Sequence, residues 1–285
     1  MPVLLRPGAR FAKYVVRAPL GRGGSSEVYL AEDPERSSAV ALKVLSGADS
    51  RSEPARGRFR DEFDIAHALQ HPNIVQVYAH GEFEGLLWLA AEYVDGVTAS
   101  ALAPGPHKSP DLALALDVLA GIAEGLDYAH TRGVVHLDVK PSNILVGRGD
   151  PVTVMLTDFG TARRWEEVEP VVPGGFVVGS IPYAAPELLR GEKLYPATDQ
   201  YSLACSAVEL LTGRPPFLRS TRFALAEAQL HKHPPDVSSR RRWIPHAVDS
   251  ILDKSLAKDP FARYPTCAEP IRLIAHALRG IEPSE

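Results

Sequence analysis

The chain has 285 residues, 45% hydrophobic and 23% charged, with a net charge of −4 and a pI of about 6.2. That balance belongs to an ordinary globular protein and excludes a globally basic nucleic-acid binder. Two cysteines, Cys205 and Cys267, exclude a disulfide framework and a cysteine zinc site, and suit a reducing compartment.

Along residues 11–93 the texture is β-like. Val28 and Leu30, then Val40, Leu42 and Val44, alternate with other residues as strand positions do, and Asp33-Pro34-Glu35 marks the turn between them. Residues 49–60 carry many charges and read as a flexible polar connection. Residues 58–70 place Phe59, Phe63, Ala66 and Leu69 at helical spacing, ended by His71-Pro72. Residues 74–78 and 86–93 read as two further strands. After Gly96 the chain is mainly helical: Pro110-Asp111 opens a helix to Thr131, and residues 187–189, 199–212, 223–230, 247–256 and 266–278 follow. The longest apolar stretches, 86–91 and 112–123, fall short of the roughly 18–20 residues of a membrane span. The chain therefore reads as cytoplasmic, alone or as the cytoplasmic domain of a longer protein.

Four motifs carry chemistry. In GRGGSSEVYLAE (21–32), Gly21, Gly23 and Gly24 let backbone approach a phosphate. A strand pattern follows, not a helix, and Lys43 stands where a dinucleotide fold has an acidic residue. No G-K-[ST] occurs in the chain, so a glycine-rich hairpin over a nucleotide competes only with an ordinary turn. In VALKVL (40–45), Lys43 sits inside an apolar strand, where an ammonium needs a partner. Glu62 on the next helix is the best candidate. VVHLDVKPSNILV (134–146) and LTDFGTA (156–162) gather Asp138, Lys140, Asn143 and Asp158. Oxygen ligands such as Asn143 and Asp158 suit magnesium. A carboxylate such as Asp138 suits the proton of a hydroxyl nucleophile. His136 reads as a packed structural histidine.

In this order, with Ala185-Pro186-Glu187 after them, these motifs resemble the eukaryotic-type protein kinases, and closely the bacterial serine/threonine kinases. The resemblance covers almost the whole chain. It implies an α+β, two-lobed fold: an extension at 1–10, a small β-rich N-lobe at about 11–91, a hinge at 92–96, a larger helical C-lobe at 97–280, and a tail at 281–285. It implies ATP with magnesium, or manganese, and proteins with serine or threonine acceptors as partners. It further implies that Lys43 binds phosphates and pairs with Glu62, that Asp138 deprotonates the acceptor, that Lys140 neutralises phosphate charge, and that Asn143 and Asp158 hold the metal. ATP would be contacted by Leu20, Gly21, Gly23, Gly24, Ser26, Val28, Ala41, Lys43, Ala91, Glu92, Val94 and Leu145. Arg263 would pair with Glu187, and Asp199 would brace the catalytic loop. The Ala-Pro-Glu segment and Lys140-Pro141 favour protein substrates over small molecules. A nucleotide-sensing scaffold without turnover is the competing reading.

Four departures stand out: Ser26 replaces the third loop glycine, Ala204 a usual glycine, Ala91 a larger gatekeeper, and Leu137 the arginine beside the catalytic aspartate. Between Gly160 and Ala185 the only serine or threonine residues are Thr161 and Ser180. Both facts lead to the expectation that activation-segment phosphorylation is not required. Arg240–Arg242 and Glu166, Glu167 and Glu169 read as solvated charge clusters.

Overall fold

The computed structural model describes residues 5–23, 26–105, 108–165 and 180–284; Gly24, Glu166, Glu167 and Glu169 lie outside them. Two compact units divide the chain, residues 1–95 and 96–285. The first is built on an antiparallel sheet of β1 (Arg10–Phe11), β2 (Tyr14–Arg22), β3 (Ser26–Asp33), β4 (Ser38–Leu45), β5 (Val77–Phe83) and β6 (Leu86–Glu92), in the order β1-β2-β3-β4-β6-β5.

Strand alternation sorts its side chains onto two faces. Tyr29 and Ala31, Val40, Leu42 and Val44, and Trp88 and Ala90 enter one core with Phe11, Tyr14 and Val16. The residues between them take the other face. There the register aligns Gly21 with Val28, Val28 with Lys43 and Lys43 with Leu89, and one step along, Leu30 with Ala41 and Ala41 with Ala91. Directly opposed residues share a face, so Gly21, Val28, Ala41, Lys43 and Ala91 line one surface of the sheet.

Two helices, α1 (Gly47–Ser50) and α2 (Glu53–Ala68), connect β4 to β5. Residues 49–60 are thus largely helical and not the flexible connection their charge suggests. Pro54 lies in the first turn of α2, where its missing N–H has no intrahelical partner to lose. Ala55, Phe59, Ile65 and Ala66 supply the buried face. Residues 74–76 also depart from the strand expectation. Ile74 and Val75 are buried, but β5 begins only at Val77, and before it only Ile74 makes an isolated β-bridge.

The second unit is mainly helical. β7 (Gly96–Thr98), α3 (Leu112–Thr131), β8 (Val134–Val135), β9 (Ile144–Gly147), β10 (Val154–Leu156) and β11 (Arg163–Arg164) precede α4 (Pro186–Arg190), α5 (Pro196–Thr212), α6 (Arg222–His231), α7 (Val237–Arg240), α8 (His246–Ser255) and α9 (Ala268–Ala277). The short strands form a three-stranded sheet, β10-β9-β7, and a pair, β11-β8. Asp111 starts α3 by accepting from Leu114 N at 3.0 Å, as an N-cap does. α5 is buried along nearly its whole length and ends at Gly213, whose φ is 90°. A Cβ there would lie 2.1 Å from the carbonyl oxygen of Pro104, so both conformation and space require glycine. The β-rich first unit and mainly helical second unit agree with the expected α+β class.

The arginine cluster departs from its solvated reading. Only Arg242 is exposed. Arg240 donates to the carbonyls of Arg214, Pro215 and Pro216 at 3.2, 3.1 and 2.6 Å. Arg241, buried, donates to those of Gly105 and Thr212 at 2.9 and 3.4 Å. The turn after α5 leaves carbonyls without partners of its own, and two guanidiniums from α7 and its end supply them. Burial, with Arg214 nearby, pulls the Arg240 pKa down to about 10.

Candidate active site

In the first unit, Lys43 Nζ lies 2.5 Å from Glu62 Oε1, with the two side chains 21% and 10% exposed. β4 aims the lysine off the core, and α2 brings the carboxylate to it. An ammonium kept charged in this way can also receive a polyanion. The glycine-rich turn points to the same kind of ligand. At Gly21 a Cβ would meet nothing within 4 Å, and at Gly23 only Ser26 at 3.6 Å or more. Nothing within the described protein demands glycine at either position. Gly23 N donates to Ser26 O at 2.8 Å, closing the turn from its second side. Leu20 is 45% exposed. Ala91 is buried, and its Cα partners are Ala41 and Val77. Glu92 N donates to Gln76 O at 2.8 Å, and Glu92 pairs with Val40 at the end of β6. Val94 follows in the irregular stretch before β7.

In the second unit, Asp138 is surrounded by donors. Lys140 Nζ reaches Oδ2 at 2.6 Å, Asn143 Nδ2 reaches Oδ2 at 3.0 Å, and Ser180 N reaches Oδ1 at 3.1 Å. Lys140 also donates to Ser180 Oγ at 2.8 Å. Asn143 spends its amide N–H groups on the side chain and carbonyl of Asp138, and its Oδ1 is the atom that could accept a hard cation. Asp158 is exposed and left-handed, with φ 66° and ψ 68°. An amide oxygen and a carboxylate are the donor set magnesium prefers. Leu145 lies half-buried in β9 opposite Met155 and Thr98.

The loop behind Asp138 is braced from α5. Asp199, fully buried, accepts the backbone N–H of His136 and of Leu137, each at 2.8 Å, and meets His130 Nε2 at 2.8 Å. Burial alone raises its pKa, but the bond with His130 and the nearby histidines and N–H groups outweigh it and hold the carboxyl below its usual value. His136 accepts Asp138 N at Nδ1, at 3.3 Å, and its Nε2 faces Thr157 O at 3.0 Å. Its proton therefore sits on Nε2, and the ring is a strut with its edge against Phe159. Glu187 and Arg263 form a buried two-pronged ion pair at 2.7 and 2.8 Å.

Sequence reasoning passed over Trp165. It packs against the cluster that holds Leu137, although nothing in the linear pattern marks it. Leu137 gave the only signal: an apolar residue beside a catalytic-loop aspartate must be buried by something.

The protein kinase domain family matches residues 14–272. The serine/threonine-protein kinase PknJ of Mycobacterium tuberculosis is 40% identical over 280 residues, 97% of this chain and 47% of that protein. PknF of the same organism is 38% identical over 284 residues, 97% of this chain and 58% of that protein. The crystal structure of the M. tuberculosis PknI kinase domain is 34% identical with a TM-score of 0.76, covering 96% of this chain and all of that one. The chain spans about half the length of the curated relatives it matches. With the match running from the glycine-rich strands through the Asp138 loop to the Glu187–Arg263 pair, the chain belongs to the protein kinase domain family, as a eukaryotic-type kinase resembling the bacterial serine/threonine enzymes.

Proposed function

We propose that this domain transfers the γ-phosphoryl group of ATP to serine and threonine hydroxyls of protein substrates, and that it does so without phosphorylation of its activation segment. The observation that carries the reading is Asp138, oriented by Lys140, Asn143 and Ser180. In this reading Asp138 accepts the proton of the acceptor hydroxyl as its oxygen bonds to phosphorus and the bond to ADP breaks. Lys140 offsets charge on the transferred group. Lys43, kept charged by Glu62, takes the α- and β-phosphates, and the backbone at Gly21, Gly23, Gly24 and Ser26 closes over them. Leu20, Val28, Ala41, Ala91 and Leu145 pack on the adenine, which hydrogen-bonds the backbone of Glu92 and Val94. Asn143 and Asp158 would hold magnesium, or manganese, which neutralises phosphate charge when bound. Positioning and charge stabilisation do most of the work in such a transfer.

Leu137 supports the independence from phosphorylation, since it offers neither charge nor donor to a phosphate. Ser180 already contacts Asp138 and Lys140, so a phosphate there would obstruct the acceptor. Thr161 Oγ1 is spent on His136 O at 2.9 Å. Among the described residues no helix is long and apolar enough to cross a membrane; a cytoplasmic location, as a domain of a longer protein, belongs to the same proposal.

The test is phosphate incorporation from Mg-ATP into a generic basic protein, with phosphoamino-acid analysis and Asp138→Asn as control. Phosphoserine or phosphothreonine from wild type alone supports transfer. Equal incorporation by both proteins would favour the scaffold.

A further inference from the structure

Leu137 does more than lack an arginine's charge. It is 6% exposed and lies in a cluster with Val135, Ala184, Leu188 and Leu194, against which Trp165 and Leu189 pack. These residues come from three segments: the strand leading into Asp138, the first residues after β11, and the α4 region. Backbone bonds join the first two. Arg163 and Arg164 pair with Val135 and Val134, and Trp165 N donates to Gly133 O at 2.9 Å. Leu137 itself is held at φ 68°, a conformation that a non-glycine residue keeps only when its surroundings impose it. Asp199 holds its N–H, and the apolar cluster holds its side chain. Asp138 is the next residue, so whatever seats Leu137 also aims the carboxylate.

From this we infer that Trp165 is a positioning residue: its indole, packed on the Leu137 cluster, seats the start of the activation segment on the catalytic loop by apolar contact, where an arginine–phosphate pair would otherwise do so. The inference rests on the kinase reading and supplies its mechanism of phosphorylation independence. Indole Nε1 is buried without a hydrogen-bond partner among the described residues. The residue therefore serves through its apolar area, and a phenylalanine can replace it.

Trp165→Ala and Trp165→Phe are compared with wild type by steady-state kinetics, thermal melting and amide hydrogen exchange at residues 163–165. For Trp165→Ala, kcat falls about 10- to 100-fold, the scale of a misaimed catalytic group, while KM for ATP and the melting temperature hold. Protection of the 163–165 amides is lost. Trp165→Phe restores both rate and protection. Wild-type kcat in Trp165→Ala would overturn the inference, as would a parallel loss of ATP affinity and melting temperature in both variants, which marks a purely structural role. If wild type shows no turnover above Asp138→Asn, the kinase reading has failed on its own. Exchange then still decides the seat: unchanged protection in Trp165→Ala rejects it.

Discussion

Lys43 is brought to Glu62 by a strand and a helix, whereas Asp138 is aimed by a loop and the donors around it. Lys43 meets Glu62 in an ion pair at 2.5 Å, and the helix carrying Glu62 has no side-chain hydrogen bond capping its start. Asp138 is contacted by three residues, and the loop behind it is tied by two backbone bonds to a buried carboxylate that also meets His130 of α3. An ammonium that receives a phosphate needs its charge more than a fixed direction. A carboxylate that must face a single hydroxyl needs its plane and direction fixed, and that takes several donors. The first arrangement depends on where α2 carries Glu62; the second depends on the loop and on α5.

The comparison can be broken at several points. Asp138→Asn removes the proton acceptor while keeping its shape, and should lower kcat by about 10²–10⁴-fold, read as initial rate at saturating ATP. Asp199→Asn should come next. Its amide can accept from only one of the two backbone N–H groups, and a buried donor left unmet costs about 1–3 kcal/mol. Chemical denaturation reads that loss, and kcat should fall more than KM for ATP. The effect has a pH signature. Because the folded carboxyl is held below its usual pKa, its contribution is full above the ordinary carboxylate range and is lost as pH falls through the lowered value. The gap between wild type and Asp199→Asn should therefore narrow in acid. Glu62→Gln should lower kcat less than Asp199→Asn does, with the loss seen mainly as a raised KM for ATP. An Asp138-sized loss of kcat in that variant would erase the contrast. The smallest effect is expected from Ala91→Met: ATP use should persist, while bulky N6-substituted ATP analogues, accepted by wild type, are refused. Equal use of such an analogue by both proteins would show that a neighbouring side chain already fills the space beside Ala91.

What could be read from the sequence were the parts whose chemistry is local. The alternation of Val40, Leu42 and Val44 marked β4, and an ammonium among them demanded a carboxylate, which the helical spacing placed at Glu62. The Glu187–Arg263 pair and the Asp199 brace were reached through the family resemblance, across 76 and 62–63 residues. The parts that escaped are those where the partner is remote and leaves no periodic trace. Arg240 and Arg241 look like a solvated run because the carbonyls they cap lie 24 to 136 residues away. Residues 49–60 look like linker because their many charges outweigh the few apolar residues, Ala55 and Phe59, that form the buried face. Trp165 looks like any aromatic in a polar stretch until Leu137 is seen packed beside it.

The central claim is that the catalytic loop is aimed by Asp199 and an apolar seat, without a phosphate. The most direct measurement treats the enzyme with a phosphatase, verifies by mass spectrometry that Thr161 and Ser180 are bare, and follows the initial rate on a serine-containing peptide. The account predicts the same rate before and after treatment. A large loss that returns only on rephosphorylation within residues 161–185 would contradict it.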